Sequence, residues 1–366
     1  MNWKFWKKSK ETKKKKSASR EWLDAIVFAV IAATIIRGLF IEAYTIPTGS
    51  MERSLLIGDF LFVSKINYGA RTPITPVAFP FAHHTMPILN TKAYWDGIKL
   101  PYYRLPGLSE IKRNDVVVFN YPMDADAPLS RPIDKRENYI KRCVGIAGDT
   151  LKIIDGMVYI NGKLGDLPEM SQTQYYVKTD GSDFNPKALE DIKADVERVN
   201  TDEYVITMPK AEIEKIKLFS NVKAVSPIID EQASYHQEVF PNDARLQWNQ
   251  DNFGPIIIPK SGWTVKLDSL SIPIYRRAIE VYEGNKLELN GDQILINGVK
   301  ANSYTFKMNY YWMMGDNRHN SADSRYWGFV PEDHIVGKAL FVWMSWDDNA
   351  SFFNKIRWSR LLMGIH

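Results

Sequence analysis

The 366-residue sequence has little cysteine and few long apolar runs: Cys143 is its single cysteine, and one strongly apolar segment lies near the N-terminus. One cysteine cannot form an intramolecular disulfide, so an exported domain of this chain must be stabilised by its core alone. None of the six histidines lies in a His-Glu-x-x-His pattern or beside clustered carboxylates, so no metal and no cofactor is predicted. The sequence also has no Gly-x-Ser-x-Gly elbow, the turn that carries the nucleophile in many Ser-His-Asp hydrolases. A Ser-His-Asp triad therefore stays only as an alternative to the catalytic residues considered below.

Charge is concentrated at the N-terminus, although the net charge is only +4. Residues 1–20 hold nine Lys or Arg and one Glu. A basic tail suits either nucleic acid or an anionic membrane surface, and the apolar segment that follows favours the membrane. We therefore expect a lipid bilayer, and no nucleic acid, as a partner.

The apolar segment predicts one transmembrane helix over residues 22–41. Residues 25–36 carry no charge, and with their apolar flanks they reach about 20 residues, roughly 30 Å of helix. The preceding basic tail, residues 1–21, is expected in the cytoplasm and the rest of the chain outside it. A cleaved signal peptide is the alternative, but Ile41 and Ala43 make a poor small-x-small site.

Most of the remaining chain has the patterns of strands and hairpins. Residues 59–64 and 115–119 are β-branched and aromatic runs bounded by turn residues. Residues 150–160 and 287–298 each hold two apolar runs joined by Asp-Gly or Asn-Gly, which predicts tight hairpins. Cys143 is interpreted as a strand residue that faces the core. The predicted fold class is therefore mainly β, an antiparallel-sheet catalytic domain behind one N-terminal helix.

Residues 164–250 differ from the strand-rich regions around them. Residues 186–199 and 209–218 are charged, amphipathic and helical in period. We predict an inserted α/β subdomain here. The predicted divisions of the soluble part are the catalytic domain at 42–163 and 251–348, the insertion at 164–250 and a basic and apolar tail at 349–366.

Two short runs supply candidate chemistry. Ser50 follows Thr-Gly in a turn that lets the backbone approach a substrate closely. A serine hydroxyl needs a base, and Lys141, with apolar neighbours, is a candidate because burial lowers the pKa of a lysine. Strand alternation puts Lys141 and Tyr139 on one face and turns Arg142 toward solvent. Taken singly, a Thr-Gly-Ser turn or a strand lysine is usually structural, so these runs need support from elsewhere.

That support is a family resemblance. Five segments resemble, in order, the motif boxes of bacterial type I signal peptidase, the leader peptidase: residues 44–68, 113–122, 137–163, 253–260 and 312–331. The most specific part is Asn320-Ser321-Ala322-Asp323-Ser324-Arg325-Tyr326-Trp327-Gly328, which follows Gly315-Asp316-Asn317-Arg318. The resemblance implies a signal-peptidase-type catalytic domain in which Ser50 is the nucleophile and Lys141 the general base.

The resemblance also implies supporting roles. By it, Ser321 orients the lysine through a hydrogen bond, Asp323 and Arg325 form an ion pair, and Asp316 and Arg318 brace the loop. The oxyanion hole would join the Ser50 N–H to the hydroxyl of Thr48. Threonine departs here from the more frequent serine, so its rotamer decides whether the donor is well placed. His319 stands where an acidic residue is frequent.

The implied activity is removal of signal peptides from exported preproteins at the inner membrane of a bacterium, on the periplasmic side. The residues expected to line shallow pockets for small substrate residues, mainly Ala, are Tyr44, Ile46, Met51, Tyr139 and Ile140. The substrate would lie extended against a strand edge. Two alternatives remain: a catalytically inert, membrane-tethered binding or assembly protein, and a self-cleaving repressor, which shares the dyad but carries a DNA-binding domain not evident here. No oligomeric state is predicted.

Overall fold

The computed structural model describes residues 17–166, 168–185, 187, 189, 192, 194–291, 293–351 and 354–366, so most of the basic tail lies outside it. Its helices are α1 (Ala18–Leu39), α2 (Ile213–Lys217), α3 (Ser271–Arg277) and α4 (Ser324–Trp327). The strands are β1 (Ile41–Thr45), β2 (Asp59–Ser64), β3 (Val116–Asn120), β4 (Asn138–Gly145), β5 (Thr150–Ile154), β6 (Met157–Ile160), β7 (Lys163–Leu164), β8 (Gln172–Thr179), β9 (Asp195–Arg198), β10 (Glu203–Pro209), β11 (Val222–Pro227), β12 (Phe253–Ile257), β13 (Thr264–Lys266), β14 (Leu287–Asn290), β15 (Gln293–Ile296), β16 (Val299–Lys300), β17 (Ser303–Thr305), β18 (Tyr310–Met314), β19 (Val330–Pro331), β20 (Ile335–Ser345) and β21 (Met363–Gly364).

Helix α1 is present where an apolar helix was predicted. It has 22 residues, its most apolar 18-residue window has a mean hydropathy of 1.9, and none of that window is buried. By length and composition it can cross a membrane. Its last turn is tied to the sheet domain, because Arg37 Nε donates to Glu42 Oε1 at 2.6 Å and Lys65 Nζ pairs with Glu42 Oε2 at 2.8 Å.

One antiparallel sheet positions the candidate site. Its strand order is β1-β2-β20-β3-β4-β18-β19, with β21 paired to the long strand β20. Further ladders are the sheet β12-β5-β6-β7, the sheet β14-β15-β16 and the pair β13-β17. The predicted mainly β, antiparallel fold class is therefore confirmed.

The two predicted hairpins form as expected. Asp155 and Gly156 have φ values of 48° and 75° between β5 and β6, and Gly291 has a φ of 58° between β14 and β15. Positive φ at the turn matches the right-handed twist of the strands, which is why Asp-Gly and Asn-Gly favour such turns. Cys143, in β4, is fully buried, as predicted.

The insertion contains its own sheet and small core. Its four strands pair in the order β11-β8-β10-β9, and eight buried residues fill the space between this sheet and α2: Tyr175, Val177, Phe184, Tyr204, Ile206, Met208, Ile213 and Ile216. An α/β subdomain is thus present, while its exact bounds within the chain stay a prediction.

The helical prediction within the insertion was partly wrong. Asp195–Arg198 form the edge strand β9, paired with β10, and in 209–218 only Ile213–Lys217 are α-helical. Of the remaining predicted helix, residues 186, 188, 190, 191 and 193 lie outside the described residues. Pairing with a neighbouring strand overrides a weak helical period when the charged side chains stay exposed in either structure.

Candidate active site

Ser50 lies in a short 3-10 turn, Gly49–Met51, between β1 and β2. The turn is fixed from below, since Met51 and Leu55 are both 0% exposed in the core under the sheet. From above it is fixed by Asn317, whose side-chain amide donates to the Gly49 carbonyl and whose backbone N–H donates to the Ser50 carbonyl, both at 3.1 Å. The half-buried Ser50 side chain is therefore held at the surface by contacts on both sides of its backbone.

Lys141 reaches this turn from β4. Its partner in β3 is Val117, and its side chain is 4% exposed. Its Nζ lies 2.7 Å from Ser50 Oγ and 3.1 Å from the carbonyl oxygen of Ile140. It also lies 5.5 Å from the ring centroid of Tyr139. The two residues singled out as nucleophile and base are thus within hydrogen-bonding distance.

The environment of Lys141 favours the neutral amine. Burial lowers the pKa of Lys141 from 10.5 to about 8, while the more distant carboxylates of Asp323 and Asp316 oppose that change. With a pKa of about 8, roughly one molecule in ten is neutral at pH 7, against about one in 10³ for an ordinary lysine. The amine can therefore accept a proton near neutral pH.

Arg142 does not point to solvent, so that prediction was wrong. It is 3% exposed, and its Nε and Nη2 donate to Oδ1 and Oδ2 of Asp316 at 2.8 and 2.7 Å. The hydroxyl of Ser54 also donates to Asp316 at 2.6 Å. Both faces of β4 are covered at this point, so alternation along the strand did not separate a buried face from an exposed one.

A second ion pair lies in the loop after β18. Arg325 donates to both oxygens of Asp323, at 2.9 and 2.8 Å, and both residues are almost fully buried. Asp323 also accepts from the backbone N–H of Gly315 at 3.1 Å. Burial would raise the pKa of Asp323, but the charge of Arg325 lowers it overall, so the carboxylate stays ionised. The predicted pairing of these two residues is present in the structure.

Asp316 and Arg318, for which the resemblance implies a role in bracing the loop, contact different partners. The partner of Asp316 is Arg142, and the guanidinium of Arg318 makes no hydrogen bond to a described residue although it is 7% exposed. Burial lowers the pKa of Arg318 to about 10. Arg318 instead holds the loop through its backbone, which donates to the carbonyl of Gln172 at 2.9 Å.

Ser321 lines the same groove as Ser50 and Lys141. Its hydroxyl is buried and makes no hydrogen bond to any described residue, so the structure does not contain the predicted bond to the lysine. Gly315 separates Ser321 from the nucleophile turn: a Cβ there would lie 2.2 Å from Ser321 Oγ and 2.5 Å from the Ser50 carbonyl oxygen. A side chain at 315 would therefore push the two serines apart.

Only two of the five predicted substrate contacts line this groove, Tyr139 and Ile140. Ile46 is 3% exposed and Met51 is 0% exposed, because both side chains point down into the core. Tyr44 lies at another cavity, near the end of α1, where its hydroxyl donates to Glu42 at 2.8 Å. In this conformation these three side chains support the turn from below or from the side.

The groove borders an unpaired strand edge. Strand β4 pairs with β3 from Asn138 to Arg142, but with β18 only from Arg142 to Gly145. Among the described strands, none covers the other edge of Asn138–Lys141. An extended peptide can add to such an edge through backbone hydrogen bonds. Thr48, on the far side of the groove, is exposed and does not use its hydroxyl to cap the 3-10 turn.

His319 links this loop to the insertion. Its Nδ1 accepts from the backbone N–H of Gln174 and contacts the hydroxyl of Thr173 at 2.6 Å. With Nδ1 accepting, Nε2 carries the proton and donates to Asp251, at 3.2 Å from Oδ1 and 3.3 Å from Oδ2. His319, at the position where the resemblance led us to expect an acidic residue, thus carries a carboxylate partner in Asp251.

Sequence reasoning missed the roles of Asn317, Arg142 and Ser54. Asn317 belongs to the motif Gly315-Asp316-Asn317-Arg318, but nothing in the sequence indicates that its side chain reaches back to Gly49. For Arg142, which follows Lys141, the sequence contained a weak indication. An arginine in the run Tyr-Ile-Lys-Arg-Cys-Val is buried if the strand is central in its sheet, and a buried arginine requires an acidic partner.

Known proteins resemble the chain over most of its length. The family model described as Signal peptidase, peptidase S26, matches residues 19–211 and 300–346. Signal peptidase I of Buchnera aphidicola subsp. Acyrthosiphon pisum is 28% identical over 327 residues, which cover 87% of this chain and 73% of that protein. Signal peptidase I of Pseudomonas aeruginosa is 25% identical over 334 residues, covering 88% and 70%. That of Rickettsia typhi is 24% identical over 351 residues, covering 94% and 89%.

A serine hydroxyl within hydrogen-bonding distance of a buried amine is an arrangement that can serve nucleophilic catalysis in a serine hydrolase. The family match covers more than half of the chain, and the chain belongs to the signal peptidase family, peptidase S26. It is accordingly an enzyme, a serine endopeptidase that removes signal peptides.

Proposed function

We propose that the chain cleaves signal peptides from preproteins with Ser50 as nucleophile and Lys141 as general base. The observation that carries this proposal is the 2.7 Å distance between Lys141 Nζ and Ser50 Oγ, with the lysine 4% exposed. Burial lowers the pKa of this lysine to about 8, so its neutral form can take the serine proton without histidine or metal.

The reaction begins as Ser50 Oγ attacks the carbonyl carbon of the scissile bond and its proton passes to Lys141 Nζ. The negative charge on the carbonyl oxygen is stabilised by the Ser50 N–H and the hydroxyl of Thr48. The ammonium then gives its proton to the leaving nitrogen, which releases the mature protein and leaves the signal peptide esterified to Ser50. Lys141 next deprotonates a water, whose oxygen attacks the ester carbonyl. The bond to Ser50 Oγ then breaks, the signal peptide leaves with a free carboxyl group, and the ammonium returns its proton to Ser50 Oγ.

The neighbouring residues have supporting roles in this proposal. Ser321, with its unpaired hydroxyl in the same groove, orients the amine of Lys141 once Ser50 has given up its hydrogen bond. The ion pair of Asp323 with Arg325 and the buried Asp316 keep the loop in place, with the backbone of Arg318. A negative charge at these carboxylates also stabilises the ammonium that forms during the reaction.

Substrate specificity would come from the groove. Tyr139 and Ile140 line it beside the open edge of β4, so an extended signal peptide can pair with residues 138–141. Small residues, mainly Ala, are proposed at the first and third positions before the cleaved bond because alternate side chains of an extended peptide face the same wall. Tyr44, Ile46 and Met51 would shape this wall from beneath.

The proposed location is the inner membrane of a bacterium, with α1 as a single span and the catalytic domain on the periplasmic side. The nine Lys or Arg of residues 1–20 favour a cytoplasmic N-terminus. Because the Ser50 turn is only about ten residues beyond the end of α1, cleavage would take place close to the membrane surface, where the signal peptide leaves the bilayer.

The test is cleavage of a purified preprotein by full-length Ser50→Ala and Lys141→Ala enzymes. Both should lose cleavage, by about 10⁴-fold or more in kcat, with an unchanged circular dichroism spectrum. Arg276→Ala, which breaks an exposed ion pair with Glu280, is the matched control and should cleave normally. Full activity of either dyad variant would refute the mechanism.

A further inference from the structure

A second cavity lies where the end of α1 meets the sheet domain; we call it the anchor-end cavity. Thr34, Arg37 and Gly38 of the last turns of α1 line it together with Lys135 and Phe79. Its volume is about 270 Å³. It is separate from the groove at Ser50, with which it shares one lining residue, Asn138.

Lys135 brings to this cavity a charge that has no close ion-pair partner among the described residues. Its side chain is only 9% exposed, yet its ammonium makes no hydrogen bond or ion pair with a described residue. Its Nζ lies 5.8 Å from the centroid of the Tyr94 ring. The neighbouring carboxylate of Asp134 is used elsewhere, since both of its oxygens accept bonds from Thr75, each at 2.9 Å. Burial lowers the pKa of Lys135.

The cavity as a whole has too few carboxylates for its cations. Four cationic side chains line it, those of Arg37, Lys65, Arg71 and Lys135, against two carboxylates, those of Glu42 and Asp134. Arg37 and Lys65 share the single carboxylate of Glu42. Arg71 donates to two uncharged oxygens, the side chain of Asn120 at 2.6 Å and the backbone carbonyl of Asp333. The lining thus has two positive charges in excess, which a bound anion would neutralise in part or in full.

The position of the cavity identifies the source of that anion. Arg37 lies in the last turn of an exposed, apolar helix of membrane-spanning length, so the cavity is at headgroup depth if α1 spans a bilayer. Phe79 and Phe81 at its rim are 53% and 55% exposed, which gives acyl chains an apolar surface beside the charged cavity. We propose that the anchor-end cavity binds the phosphate group of an anionic phospholipid.

This inference rests on the membrane anchor of the proposed function and not on the Ser50–Lys141 dyad. The probe is dioleoyl-phosphatidylglycerol, titrated onto the full-length enzyme in detergent and counted as bound lipid by native mass spectrometry. Dioleoyl-phosphatidylcholine and inorganic phosphate are the comparison ligands. The variants are Lys135→Gln, the charge-keeping Lys135→Arg, and Lys99→Gln, which changes an exposed lysine between β2 and β3 that does not line the cavity.

Phosphatidylglycerol should bind at one site about tenfold more tightly than phosphatidylcholine, and Lys135→Gln should weaken its binding about tenfold. Lys135→Arg and Lys99→Gln should stay within twofold of the unmodified enzyme. Lys135→Gln should cleave a preprotein in detergent at the rate of the unmodified enzyme. Lipid binding therefore tests the anchor-end cavity, and cleavage separately tests the Ser50–Lys141 dyad.

Equal binding of phosphatidylglycerol by Lys135→Gln and the unmodified enzyme would overturn the proposal. Displacement of the lipid by millimolar inorganic phosphate would assign the cavity to free phosphate and overturn the lipid source. If Lys135→Gln lacks a normal melting transition, the unmodified enzyme alone tests the proposal. It should bind phosphatidylglycerol more tightly than phosphatidylcholine, and equal binding of the two lipids would refute the proposed lipid site.

Discussion

The guanidinium of Arg142 and the carboxylate of Asp316 form a buried, two-pronged ion pair directly beside the lysine of the candidate dyad, with both side chains at most 3% exposed. The pair joins β4, which carries Lys141, to the loop that carries Asn317 and Ser321. It therefore couples the position of the proposed base to the position of the proposed nucleophile.

Breaking this pair should be costly. Arg142→Ala leaves the carboxylate of Asp316 buried with only the hydroxyl of Ser54 as a side-chain donor, so the free energy of unfolding should fall by about 3–5 kcal/mol. Urea unfolding at pH 7 measures this change. Arg276→Ala, which removes an exposed i,i+4 pair, should cost less than about 1 kcal/mol. Similar losses for the two variants would contradict the buried pair.

Asn317 should act by positioning the nucleophile turn. Asn317→Ala removes the donor to the Gly49 carbonyl and should lower kcat by roughly 10- to 100-fold, because a small displacement of a reacting group is costly. KM and the pH dependence of kcat should change little, since neither the groove nor Lys141 is altered. Asn290→Ala, at an exposed strand end, is the control. A large rise in KM with normal kcat would indicate a substrate contact instead.

Thr48 should supply its hydroxyl to the oxyanion. Thr48→Val keeps the branched shape and removes the donor, so kcat should fall by about 10²–10³-fold. Thr48→Ser keeps the donor and should retain most of the activity. Steady-state cleavage of one preprotein by both variants measures the difference. Comparable activity of the valine and serine variants would remove Thr48 from the oxyanion hole.

The lowered pKa of Lys141 should reduce the free energy of unfolding at neutral pH. Its folded-state pKa, about 8, lies below the ordinary 10.5, so between those values the unfolded chain binds more protons and stability rises with pH. Below pH 8 the cost is complete, about 3 kcal/mol from the size of the shift. Lys141→Met should therefore stabilise the fold at neutral pH.

The measurement is urea unfolding of Lys141→Met and the unmodified enzyme at pH 7 and pH 10. The stability gained by the substitution should be about 2–3 kcal/mol larger at pH 7 than at pH 10. Lys152→Met, an exposed strand lysine, controls for the general effect of removing a charge and should show no such dependence. An equal gain at both pH values would mean that Lys141 is not perturbed in the folded state.

The parts of the fold that depend on local sequence could be predicted. Asp155, Gly156 and Gly291 specify their hairpins through the positive φ that these residues tolerate, and the apolar helix is defined by its own length. A strand of the insertion was also predictable from its local sequence. In Gln172–Thr179 alternate residues from Tyr175 to Thr179 are buried, which is the period of a strand. We predicted helices in the insertion because the charged segments 186–199 and 209–218 have a helical period.

The parts that depend on distant partners could not be predicted from residue order alone. Whether Arg142 faces solvent is decided by Asp316, 174 positions away, and whether the Ser50 turn is fixed is decided by Asn317. Similarly, the burial of Ile46 and Met51 follows from how the turn packs on the sheet. Family resemblance supplied the residues of the candidate site, but not the direction in which each side chain points.

The pH dependence of kcat/KM for preprotein cleavage tests the central claim most directly, because it reports the free enzyme's essential base. If neutral Lys141 is that base, kcat/KM should rise about tenfold per pH unit below about 8 and level off above it, and Lys141→Ala should show no activity at any pH. A profile that is flat from pH 6 to pH 9, or an active Lys141→Ala enzyme, would contradict the account.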